Sequence, residues 1–328
     1  MCNFRIINMK KLILFFYLNL ICKFPCLEIL VRHIYWYNYS LFKKFKPVYK
    51  SVCKNDELNF DLILNILKSY SLEGKIVIVH SSYDALKNTG LSPECIVDKL
   101  IELVGKNGTL VMPAIRRYKE VKEYKYNLSL DENLLSGIEC VYRPRKTMIT
   151  TGLLPYTLLQ KKGSSVSLFP LSPAVAYGKD AEAMMKHNLD GFCPSPHGPN
   201  SAWKYCVDNN AVVIGLGVDL SHFLTVMHTH DECSLDWPIK KWFRYRKFFI
   251  DDSSTKRHII VRERIPRWGQ LFSADGRFKN DLLSNNILHV DNLSDFEISI
   301  VKSKELIDFM DKHKDKTYPY YIPKIFYK

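Results

Sequence analysis

The stretch KIVIVHSS, Lys75–Ser82, decides how this chain is read. Four β-branched residues in a row, Ile76–Val79, give way to His80, Ser81 and Ser82. A short, uninterrupted apolar run predicts a strand buried on both faces, and polar residues at its end predict a site on the C-terminal edge of a sheet. Beyond it, SPECIVDKLIELVG (Ser92–Gly105) has a Ser N-cap, a Pro at the first helical position and a closing Gly. GTLVMPA (Gly108–Ala114) reads as a second buried strand, and VSLFP (Val166–Pro170) and AVVIGLG (Ala211–Gly217) as a third and fourth. On the other side, FDLILNILKSYSLEG (Phe60–Gly74) has helical spacing and ends in Gly. Strands alternating with helices predict an α/β protein, a three-layer α/β/α domain on a mostly parallel central sheet.

The last third changes character. RYRKFFIDDSSTKRHIIVRER (Arg244–Arg264) reads as a hairpin turning at Asp251–Thr255, followed by strands at Asn286–Asp291 and Phe296–Val301 and a helix at Ser303–Lys314. This α+β, antiparallel portion is expected to complete the same domain or to cover one edge of it. The domain therefore runs from 55 to 328, with residues 1–54 set apart.

Composition explains why the first 54 residues are set apart. The net charge of +13 is uneven: residues 1–54 hold ten basic side chains and one acid, Glu28. With the basic excess there, the body of the protein is not read as a nucleic-acid binder. The same segment carries the apolar run LILFFYLNLIC (Leu12–Cys22) and the aromatic-rich LEILVRHIYWYNYSLF (Leu27–Phe42). Neither reaches the roughly 18–20 apolar residues that span a bilayer. Three readings stand open: a basic, apolar helix lying in an anionic membrane surface, a signal or anchor, or a helix packed on the domain. Nine scattered cysteines with no CxxC pair argue against a zinc ribbon or a disulfide framework, and a reducing cytoplasm is the expected compartment, with peripheral contact at its membrane face.

TVMHTHDE (Thr225–Glu232) is the densest cluster of chemistry-bearing side chains. On a helix, His228 and Asp231 stand at i and i+3 and share a face, while Glu232 at i+4 is an equal candidate to orient the imidazole. His230, at i+2, points about 200° away from His228, so the two do not readily ligate one metal. The string also resembles the HxHxDH of metallo-β-lactamase-type hydrolases, but here Glu232 and Cys233 follow. No metal is expected. A Ser82–His228–Asp231 hydrolase is a second reading, weakened because no GxSxG elbow surrounds Ser82.

Several stretches together resemble the aminoglycoside 3-N-acetyltransferase family. They are Ile76–Gly90 with Gly108–Ile115, then Lys146–Glu182, where Thr147, Gly152, Leu153, Leu154, Pro155, Gly163, Ser167 and Pro170 keep the family's register. GPNSAWKY (Gly198–Tyr205) is similar to the family's GxxSPWxKL, and Val212–Glu232 to its LLLGVG…TxLHxxE. The resemblance extends over about residues 60–320. It implies acetyl-CoA as co-substrate, an amine of an amino sugar as acceptor, and His228 as general base with Asp231 or Glu232 behind it. It places His80, Ser81, Ser82, Met112, Pro113, Ala114, Thr147, Arg143 and Lys146 along the CoA groove, and Thr225, Asp219, Tyr156 and Phe169 about the acceptor. A homodimer stays open. Phe169, Val166 and Tyr156 depart from the family's histidine, arginine and acid. They put aminoglycoside itself in question and leave room for a catalytically altered CoA- or sugar-binding relative. Trp237–Phe248 resembles the branch found in surface-polysaccharide synthesis, whose acceptors would be nucleotide- or lipid-linked sugars.

Overall fold

The computed structural model describes residues 21–44, 58–118 and 139–328. In chain order the principal elements are α1 (Pro25–Tyr37), α2 (Phe60–Ser69), β1 (Ile76–Ser81), α3 (Pro93–Val104), β2 (Thr109–Pro113), β3 (Glu139–Tyr142) and α4 (Leu153–Gln160). They continue with β4 (Ser165–Val166), β5 (Ala174–Gly178), α5 (Ala202–Asp208), β6 (Val212–Leu216), α6 (His228–Cys233), β7 (Phe243–Asp251) and β8 (Lys256–Arg264). The chain closes with α7 (Pro266–Phe272), α8 (Asp275–Ser284), β9 (Leu288–Leu293), β10 (Phe296–Lys302) and α9 (Ser303–Asp311).

A seven-stranded sheet runs β4-β5-β2-β1-β6-β10-β9. Alternation along β1 sorts its side chains to two cores. Val77 and Val79 pack with α2, α3 and α4, whereas Ile76 and Ile78 pack with α5, α8 and α9. Helices therefore cover both faces, which is why the central strands read as unbroken apolar runs. The caps expected of α3 are present: Ser92 Oγ accepts from Cys95 N, and Gly105 closes the helix at φ +70°.

The mostly parallel sheet is not what forms. Only β1 with β2 and β1 with β6 pair in parallel; β5 on β2, β4 on β5, β10 on β6 and β9 on β10 are antiparallel. The returns from β4 to β5 and from β9 to β10 are short and can only run antiparallel, whereas β5 on β2 and β10 on β6 are pairings across long stretches of chain that contain helices. The third predicted strand is also shifted. Ser165–Val166 pair, but from Ser167 the chain leaves the sheet, with Ser167 Oγ donating to Asn188, and the long strand is β5 instead. The β7–β8 hairpin does form, turning at residues 252–255, yet it joins β3 in a separate three-stranded sheet, while β9–β10 extends the main one.

Of the basic N-terminal segment, residues 1–20 and 45–54 lie outside the described residues. The part described is docked. Ile29 and Trp36 of α1 pack with the Trp242, Trp268 and Phe272 cluster, and His33 meets the Phe272 ring edge-on at 5.2 Å. Glu28 is 1% exposed and accepts from the backbone N–H groups of Gly276 (2.8 Å) and Arg277 (3.1 Å) at the start of α8. A carboxylate there satisfies orphan donors and meets the positive end of the helix. No helix among the described residues is long and apolar enough to cross a membrane.

Candidate active site

Gly217, at φ +63°, turns the chain out of β6; a Cβ there would stand 2.6 Å from Cβ of Ala85. The chain then folds back across the C-terminal edge of β1 and β6, anchored by buried Phe223 and Val226, and delivers His228 at the start of α6. Beside it opens a cavity of about 1210 Å³. His80 from β1, Pro113 from β2, Arg246, Glu263 and Arg264 from the hairpin, His197 and Tyr320 all contribute to its wall.

His228 is partly exposed to this cavity. Its Nε2 lies 3.1 Å from an Arg264 N–H, so in the neutral ring Nε2 accepts and Nδ1 carries the proton. Nδ1 faces the Tyr320 hydroxyl at 3.4 Å and Asp231 Oδ2 at 3.8 Å. Arg264 ties the group together, donating to Tyr320 Oη and lying 3.7 Å from Asp231 Oδ2. Burial holds the His228 pKa well below the usual 6.5, and the positive charge of Arg264 adds to the effect. The ring is therefore neutral at pH 7. Burial pushes the Asp231 carboxyl up to about 7, against the opposing pull of Arg264.

Glu232, the alternative partner of His228, belongs to a different histidine. Its Oε1 is 2.9 Å from Nδ1 of His197 and its Oε2 accepts from the His197 backbone N at 2.8 Å. Burial raises this carboxyl, but its interactions with His197, hydrogen bonds included, outweigh that and hold it below the usual glutamate value. The His197 ring is buried, 5.1 Å from that of His228, and its Nε2 has no hydrogen-bond partner. His230 faces away, bonded to Asp311 (2.7 Å) and to the Lys316 carbonyl (3.2 Å), so the helical splitting of the two histidines is what the fold contains. Among the described residues no group of three or more His, Cys, Asp or Glu is arranged to hold a metal.

The remaining expected positions divide. His80 is buried on the cavity wall, its Nε2 without a partner and its pKa driven down to about 3 by burial. Pro113 and Thr225 line the cavity, but Met112 and Ala114 are core. The even alternation of β2 explains this, since only the strand's last residue reaches the edge. Ser81 and Ser82 are not on the wall; Ser82 Oγ caps the turn at Tyr83–Leu86, accepting from Ala85 N at 3.4 Å. That removes the nucleophile from the hydrolase reading. Phe169 is buried with Tyr142, Phe248 and Val261 in the core of the small sheet, so the departure at this position is structural. Asp219 is not on the wall either; it bonds Ser221 and His222, whose hydrogen bond draws its pKa down to about 2. Lys146, Thr147 and Tyr156 line a second recess of about 330 Å³, which shares Arg116 and Thr150 with the main cavity. Arg143 lies outside it, paired with Asp251 at 2.7 Å, and Thr147 Oγ1 accepts from Arg143 N at 2.9 Å.

Sequence reasoning missed His197, Arg264, Tyr320 and Arg116. Their separation from the residues they serve hides them. The HGPN turn offered the one local signal, since the family-like motif at Gly198 begins one residue past His197.

A neutral histidine at the C-terminal edge of a mixed sheet, a half-buried arginine against it and a cavity joined to a second recess give an α/β enzyme-like site with room for two ligands. The profile of the family described as Aminoglycoside 3-N-acetyltransferase matches residues 78–314, and the chain belongs to that family. It is an acyltransferase whose co-substrate is acetyl-CoA. Aminoglycoside N(3)-acetyltransferase IX of Micromonospora chalcea is 26% identical over 209 residues, 61% of this chain and 67% of that protein. Among solved structures, aminoglycoside acetyltransferase AAC(3)-Xa superposes with a TM-score of 0.62 at 19% identity, covering 77% of this chain and 90% of the other. AAC-IIIb, in a binary complex with CoASH, gives 0.58 at 17% identity, covering 77% and 94%.

Proposed function

We propose that the protein transfers acetyl from acetyl-CoA to an amine of an amino sugar, with His228 as the general base. The observation that carries this reading is the neutral His228 ring on the wall of the cavity, backed on Nδ1 by Tyr320 and Asp231. An amine arrives as an ammonium ion and must lose two protons on becoming an amide. The thioester oxygen gains charge during attack and needs a cation or donor. His197, with Glu232 behind it, offers its bare Nε2 for the first proton; His228 takes the second at Nε2, freed as Arg264 turns from that nitrogen to the oxyanion, while the amine nitrogen bonds to the carbonyl carbon. The oxyanion then collapses and expels the CoA thiolate, which collects the proton from His228, while that on His197 passes to water. Arg264 is the nearest cation for the oxyanion. The recess at Lys146, Thr147 and Arg145 suits the phosphate end of CoA.

A specific observation favours an anionic amino sugar, nucleotide-linked or phosphorylated, over a polycationic one. Each lining carboxylate is already engaged: Glu232 by His197, Glu263 by Arg244 and Arg246, Asp275 by Arg32. Arg116, in contrast, donates to the carbonyls of Thr147 and Pro144 and meets no carboxylate among the described residues. Thiol release from acetyl-CoA, measured against free amino sugars, nucleotide amino sugars and aminoglycosides, tests both points. Release that requires an amine and is fastest with nucleotide amino sugars is expected. No thermal shift with acetyl-CoA and no release with any amine would sink the reading, and release without acceptor would make the protein a thioesterase.

A further inference from the structure

Docking of α1 splits its surface in two. One face is consumed by the body, through Glu28, Ile29, Arg32 and Trp36. The other presents Leu30, Ile34 and Tyr37, at i, i+4 and i+7, and these side chains are 54%, 51% and 63% exposed; Leu41, in the short helix Tyr39–Lys44 that follows, is 55% exposed. Three large apolar side chains in one line on the outside of a docked helix are not needed to hold that helix in place.

Charge decides what covers this row. Residues 1–54 carry ten basic side chains and the single acid Glu28, which is buried under α1 against the start of α8. Glu28 apart, the segment's sequence is thus apolar and purely basic, and the described outer face of α1 carries no acid. A symmetric pairing with a second copy would bring two such segments together, and like charges facing each other disfavour it. A bilayer surface bearing anionic lipid satisfies both properties: acyl chains accept the apolar row to a depth of about 5–10 Å, and headgroups neutralise the lysines. We propose that the outer face of α1 seats this protein on an anionic membrane surface without crossing it. Tyr39, two residues past the helix, lines the catalytic cavity, so the seated segment is continuous with the wall where acceptor enters.

The proposal stands independently of the reaction and is tested on the full chain by flotation with vesicles. Vesicles of phosphatidylcholine with phosphatidylglycerol should carry the protein, pure phosphatidylcholine vesicles should carry far less, and raised salt should weaken the binding. The double substitution Leu30→Glu with Ile34→Glu should reduce partitioning at least about ten-fold, since each removes a side chain that would be buried in lipid. Both side chains are exposed, so the thermal midpoint and acetyl transfer to a soluble acceptor should be unchanged. Wild-type protein that stays with the aqueous fraction overturns the proposal. So does a wild-type dimer in light scattering that the double substitution splits, because the row would then be a protein interface.

Discussion

Glu232 Oε1 lies 2.9 Å from Nδ1 of His197 and not beside His228, although His228 is its neighbour one helical turn away. The tertiary fold thereby makes two histidine sites from one acidic pair: Asp231 stands behind His228 and Glu232 behind His197. If His197 takes the ammonium proton, His197→Gln should lower kcat by about 10²–10⁴-fold. The loss should also be pH-dependent, shrinking as pH rises toward the acceptor amine's own pKa, because the variant can use only free amine. A uniform loss at all pH values would mean a packing role alone. If that variant unfolds, Glu232→Gln carries the same test, because the imidazolium then lacks its counter-charge.

His228→Ala should abolish most acetyl transfer, by about 10²–10⁴-fold, while acetyl-CoA binding measured by calorimetry stays within a few-fold of wild type. A variant that transfers acetyl at wild-type rate would remove His228 from the mechanism.

Arg264 is one of the groups that keep His228 neutral. A positive neighbour disfavours the protonated ring, so its removal must raise the ring's pKa. Arg264→Gln should therefore shift the acid limb of kcat/KM upward, toward 6.5, besides lowering the plateau through loss of the oxyanion partner. A limb that stays fixed or moves down would show that burial alone sets the value.

His80 supplies a stability prediction. Its folded pKa, about 3, lies below the usual 6.5, so the unfolded chain binds the extra proton in that window. Stability should be fully present above about pH 6.5 and fall with acidification toward pH 3, by about 1.4 kcal/mol per pH unit for this group. Denaturant melts at pH 7 and pH 4.5 should show a smaller loss for His80→Phe than for wild type.

Glu28→Ala would leave the N–H groups of Gly276 and Arg277 buried and unpaired. We expect a loss of about 1–3 kcal/mol and earlier proteolytic cleavage within α1, read by thermal melts and limited proteolysis.

Patterns complete within a dozen residues were legible in the chain itself. The apolar runs of β1, β2 and β6, the Ser92 cap and Gly105 stop of α3, the polar turn of the β7–β8 hairpin and the opposed faces of His228 and His230 each follow from local periodicity or capping. Strand direction in the central sheet was not, because a strand's sequence carries its burial and not its neighbour; the C-terminal strands read as antiparallel and are so, but β5 was placed antiparallel on β2 only by the fold. The same limit governs the site. Tyr320 reaches His228 across 92 residues, Arg264 across 36, and His197 reaches Glu232 across 35. Helical spacing offered Asp231 and Glu232 to His228 on equal terms, and only the approach of a second buried histidine divided them. Residues such as Met112, Ala114 and Phe169 stand one or a few positions from the cavity in sequence yet face the core, because strand alternation and the exit from the sheet after Ser165–Val166 turn them inward. The sequence by itself determined the core strands and capped helices named above, the family and the placing of His228 and His230 on opposite faces, since these rest on short-range patterns. Tertiary structure alone decided which carboxylate serves which histidine and which arginine faces the cavity, because those are long-range packing choices that no local spacing encodes.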